Sequence, residues 1–377
     1  MNRRQLLAAA TAAALPLPAF AAVRTQWRVQ GSEGFDAIAF LGPLSGQALY
    51  APRYEAEMKT FGPRVTAPTQ AAVDRLQARA EASKQLLWPT LANVLSYGPT
   101  DRIDDLLRAL AAPEQAVFPG YRRSNQWDQD GWDLLMASRQ DLATVLTALR
   151  DADFAGFRGQ LIGNRLETRT PELLAGLAKY DVIAEQERLI GRTLDPGIGV
   201  VLLWFSKPHA ASVGGQRSLS HLDYPLETVV RIVAHEMLHP PFPMDGPAAT
   251  AALEVLDADP LMQRVLKEHD PSFGYNTMEG ILNEDTVEAM DQIVSERLGV
   301  ARAPAARWNQ ADGGMHILAA GLYGMLKAEG YDRTGGNIER WMADAVKTGK
   351  LAPGRLHAAA AKVLEKPVDQ LWMTPKA

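Results

Sequence analysis

The sequence predicts a predominantly helical α+β protein with a small sheet. Apolar residues recur at three- and four-residue spacing through most of the 377 residues. One continuous Val- and Leu-rich run, "GIGVVLLWFSKP" over 197–208, has strand composition and is bounded by Gly and Pro. Helical spacing then returns in "YPLETVVRIVAHEMLH", which ends in His-Glu-x-x-His.

In chain order, residues 1–21 read as a secretory signal peptide. A basic start is followed by an alanine- and leucine-rich run and a small-x-small end at Ala19-Phe20-Ala21. Arg3-Arg4 resembles a twin-arginine signal, which implies an exported protein, periplasmic or secreted. Cleavage removes Arg3 and Arg4 and no acid, moving the formal net charge from −5 to −7. Residues 22–190 read as a helical N-terminal region; one helix is expected to start with Thr170 before Pro171. Trp88, Trp127, Trp132, Phe154 and Phe157 read as its core. Residues 191–300 hold the strand, a loop or hairpin in "ASVGGQRS", the His-Glu-x-x-His helix and a strong helix, "MEGILNEDTVEAMDQIVSERLG", closed by Gly299. Residues 301–377 form a helical C-terminal region.

Composition narrows the function. With 47% apolar and 22% charged residues the chain can bury a large core. Zero cysteines exclude disulfides, thiolate metal sites and Cys nucleophiles. The mild acidity and the lack of a Lys/Arg block argue against a nucleic-acid partner. After signal cleavage no stretch has the length and purity of a membrane span.

The chemistry gathers at His235, Glu236 and His239. On a helix, residues four apart differ by about 40° in direction and about 6 Å in height, so two imidazoles can converge on one tetrahedral cation. Neutral nitrogen donors suit Zn²⁺. Glu236 projects beside the metal and can act as general base towards a zinc-bound water. Pro240 disfavours helical backbone at His239, so the helix is expected to end there with the donor geometry intact.

HEMLH on a helix, with an Asn-Glu helix "GILNEDTVEAMD" downstream, resembles the zincin metallopeptidases, and within them the thermolysin-like gluzincins. It is also similar to uncharacterised bacterial gluzincin-like families. The resemblance covers about residues 197–298 and implies a zincin core. It implies that Glu284 is the third zinc ligand and that Glu288 supports the first histidine. Glu284 and Glu288 lie one turn apart, so either could reach the metal. Asp245 stands where metzincins carry their third ligand, although Phe242 replaces the glycine of that pattern; His269 ranks behind it. Tyr275, His316 and Tyr224 are candidate donors to the oxyanion of a tetrahedral intermediate. The resemblance also implies that an edge strand, here 197–208, pairs with an extended peptide, against which stands a purely buried strand.

The expected function is therefore zinc-dependent hydrolysis of a peptide or protein substrate. The alternative is a catalytically silent zincin-like binding or scaffold protein. A deformylase-type hydrolase is excluded because it requires a Cys ligand.

Overall fold

The computed structural model describes residues 23–373; the signal-peptide segment lies outside them. The protein is mostly helical with one four-stranded sheet, in the order β1-β2-β4-β3. Strand β1 is Gln26–Gly31, β2 is Gly197–Leu203, β3 is Ala211–Val213 and β4 is Arg217–His221. β1 and β4 flank β2 in parallel, and β3 runs antiparallel to β4.

The helices that position the site are α1 (Glu33–Ala39), α2 (Leu87–Leu95), α3 (Phe154–Ile162), α4 (Leu226–Glu236), α5 (Met278–Leu298), α6 (Pro304–Trp308) and α7 (Ile317–Ala328). The sheet separates two cores. Ile198, Val200 and Leu202 face one, with α4 and α5; Val201, Leu203 and Leu219 face the other, with α1 and α2. That two-sided burial explains why β2 reads as an unbroken apolar run rather than an alternating one. Each Val or Leu buried there contributes about 1.5–3 kcal/mol of transfer free energy.

This arrangement changes three expectations. The run at 197–208 supplies the central strand β2, so the sheet edges are β1 and β3 instead. β1 lies in the region read as helical; as an edge strand with most residues exposed or half-exposed, it carries no strong pattern. The helix around Pro171 runs Arg165–Leu177 with the proline inside it, not at its start. "ASVGGQRS" is a hairpin, with Gly215 and Gln216 at positive φ in its turn. Gly299 at φ 72° closes α5 as expected, and Thr277 caps its start through a bond from Gly280 N–H. No described helix is long and apolar enough to cross a membrane.

Asp36 ties the two halves together. Its Oδ1 accepts Trp204 N–H at 2.7 Å and Phe205 N–H at 3.0 Å, just past β2, and its Oδ2 accepts Arg158 Nε at 2.6 Å from α3. The group is fully buried, and burial outweighs Arg158 to hold its carboxyl above the usual range. Asp36→Ala would leave a guanidinium and two amides without their acceptor. We expect it to lower unfolding free energy by about 3–5 kcal/mol in urea denaturation; a loss under about 1 kcal/mol would contradict this role for Asp36.

Candidate metal centre

Val229, Val230, Val233 and Ala234 bury one face of α4 against the sheet. This register brings His235 and Glu236 to the last turn. The helix ends at Glu236, three residues before the expected His239. Leu238 N–H bonds His235 O at 2.9 Å, a tightened turn, and His239 follows it, joined to Pro240 by a cis peptide bond. The proline requirement is therefore met by leaving the helix early, and His239 is still delivered to His235.

The two Nε2 atoms stand 3.0 Å apart. Glu284, from α5, places Oε1 3.3 Å from His235 Nε2 and Oε2 3.4 Å from His239 Nε2. Ligand bonds of about 2.0–2.1 Å in a tetrahedron give donor–donor edges of about 3.3–3.4 Å. Each Glu284 oxygen faces one histidine at about that spacing, so the trio could hold a metal ion, and no fourth His, Asp or Glu among the described residues joins the group.

The outer nitrogens show how the trio could hold a cation. His235 Nδ1 lies 2.7 Å from Asp291 Oδ2, an acceptor, which assigns the ring proton to Nδ1. His239 Nδ1 lies 3.2 Å from Asn283 Oδ1 and is assigned the same way. In neutral rings, both Nε2 lone pairs then face each other and the Glu284 carboxylate. Such a convergence is stable only around a proton or a metal ion. Burial by itself would lower His235, but Glu284 and Asp291 raise it well above its ordinary value. Burial would raise Glu284, but the two histidines hold it well below the carboxylate range.

A charged frame surrounds the trio. Arg307, from α6, donates to both oxygens of Asp291 and to Glu288 Oε2 at 2.7 Å. It keeps Asp291 low against the effect of burial. Trp308 Nε1 also donates to Glu288 Oε2, at 2.6 Å. Glu288 Oε1 is 3.7 Å from His235 Nδ1, so the support expected from Glu288 comes instead from Asp291. Asp291 was not singled out in the sequence, although 284, 288 and 291 share one helix face. Arg307 was also missed and carries no local signal; Asn283 was read only as part of the Asn-Glu pair, without a role at His239.

Glu236 sits beside the histidines. Burial raises its carboxyl above the usual range, against the pull of His235 and His239 and of the nearby Ser212 N–H of β3. Tyr275 lies near Glu284; burial and that carboxylate push its hydroxyl well above its ordinary value and keep it protonated. His316 stands behind Tyr275, with ring centroids 5.9 Å apart. Its Nδ1 meets Asp285 Oδ1 at 2.7 Å and its Nε2 meets Asp312 Oδ2 at 2.9 Å. Burial opposes its charge, but Asp285 and Asp312 raise it well above the ordinary value. Both its nitrogens are engaged, so the expected oxyanion role has no free donor.

The other candidates lie elsewhere. Asp245 is exposed and outside the trio. His269 Nδ1 bonds the carbonyls of Val265 and Leu266 at a helix end. Tyr224 packs against His221, with Lys207 over its ring.

Comparisons with family models, with curated proteins and with solved structures return no match for this chain. The geometry therefore carries the functional reading alone. Asp291→Asn keeps the shape but weakens the hold on His235. We expect zinc affinity to fall about 10–100-fold in chelator competition, with far-UV circular dichroism preserved; unchanged affinity would show that Asp291 does not support the ligand.

Proposed function

We propose that this chain is an exported zinc metallopeptidase of gluzincin type, acting outside the cytoplasm on peptide substrates. The observation that carries the reading is the convergence of two imidazole lone pairs and one carboxylate at 3.0–3.4 Å, with a second carboxylate beside them. His235, His239 and Glu284 would hold the ion. Zinc bound there supplies Lewis-acid polarisation of a carbonyl and acidifies water.

The chain's own residues do the remaining work. Glu236, one residue past His235 on the same helix, lies near Ser212 N–H and accepts the proton of the attacking water. As the new C–O bond forms and the peptide C–N bond breaks, Glu236 hands that proton to the leaving amine. Tyr275, protonated beside Glu284, donates to the carbonyl oxygen as negative charge develops there. Asp291 and Asn283 fix the two imidazoles so that neither moves during the reaction.

The silent-scaffold alternative leaves Glu236 without a task. Assay of zinc-loaded protein on a quenched fluorescent peptide mixture separates the two readings. We expect Glu236→Gln to lose at least about a hundredfold in rate with zinc content unchanged. Equal rates in both proteins, or no cleavage by either, would overturn the catalytic reading.

A further inference from the structure

Helix α2 runs from the loop that carries Tyr275 to strand β3. At its start, Leu86 packs on the loop before α5, where a Cβ on Gly274 would lie 3.0 Å from two Leu86 carbons. That glycine has φ 94° and directly precedes Tyr275. Further along, Trp88 lies 6.2 Å, ring to ring, from His209, two residues before β3. Asn93, near the helix end, donates Nδ2 to Ser212 O at 3.0 Å, and Ser96 Oγ accepts Gly214 N–H at 2.7 Å. Nine helical residues span about 13 Å, so α2 bridges the Tyr275 side and the β3 side of the site.

The contact with Ser212 bears on substrate binding. In the β3–β4 register, Ala211 faces Leu219 and Val213 faces Arg217, and Ser212 O and N–H point away from β4. They are the outward main-chain groups of β3 that an added strand would use. The N–H faces Glu236 and the carbonyl is taken by Asn93. Asn93 is itself fixed, because Nδ2 also donates to Gln126 Oε1 at 2.8 Å. Gln126 in turn donates Nε2 to Ser212 Oγ at 2.7 Å and accepts the Tyr97 hydroxyl at 3.0 Å. A side-chain amide thus occupies the place of a substrate peptide group.

We infer that the substrate is a short peptide, and that the Asn93–Gln126 pair is the device that limits its length by closing the β3 edge. The inference rests on the metallopeptidase reading above and narrows its substrate class. An extended chain would have to break the Asn93 bond and lift α2, whereas a peptide of two or three residues needs only the metal, Glu236 and Tyr275.

Direct binding tests it without relying on turnover. Zinc-loaded protein is titrated calorimetrically with peptide hydroxamates of one to four residues. In the wild type we expect affinity to change by less than about threefold along the series, since no new main-chain pairing is gained. In Asn93→Ala, and in the milder Gln126→Ala, the longest compound gains about tenfold. A wild-type affinity that climbs about tenfold or more with length overturns the length limit. A series equally flat in both folded variants overturns its assignment to Asn93 and Gln126. Failure of even the shortest hydroxamate to bind would instead strike the metallopeptidase reading itself.

Discussion

Two histidine nitrogens and a carboxylate pointed at one spot need a shared proton or a metal ion between them. Much of the second half of the fold serves that constraint. Helix α5 buries Glu284, Asp285, Glu288 and Asp291 along its length, groups that almost never lie fully inside a protein unless paired. Their partners are in place: Arg307 and Trp308 for Glu288 and Asp291, His316 for Asp285. Glu284 is the member whose partners are the two histidines.

The part of this site that could be read in the sequence is the part set by local spacing. His235, Glu236 and His239 fall within one turn of each other, and the Asn283-Glu284 pair marks a second helix. The rest depends on which helices pack together. Asp291 was hidden because acidic residues on a helix usually face solvent, and only the packing of α4 against α5 turns it inward. Arg307 reaches it from a five-residue helix with no pattern of its own. His316 looked like a free donor in sequence, whereas the fold closes carboxylates on both of its nitrogens.

The fold shows the same division. Helices with a clear apolar stripe or a terminal glycine were legible, as Gly299 illustrates. The sheet was legible only through its buried central strand. β1 joins β2 across about 170 residues of sequence, a pairing that no window of local composition can reveal. The N-terminal helices, anchored to the sheet by Asp36, therefore looked like an appendage. They pack on the other face of the sheet, and through α2 they reach strand β3 at Ser212.

The central claim is that one divalent ion sits between His235, His239 and Glu284. X-ray absorption at the zinc edge, with elemental analysis of the same sample, tests it most directly. The account predicts one zinc per chain, with nitrogen and oxygen neighbours at about 2.0–2.1 Å and outer-shell scattering from two imidazoles. Well under one metal per chain after zinc loading, or a spectrum without paired imidazole scattering, would contradict it.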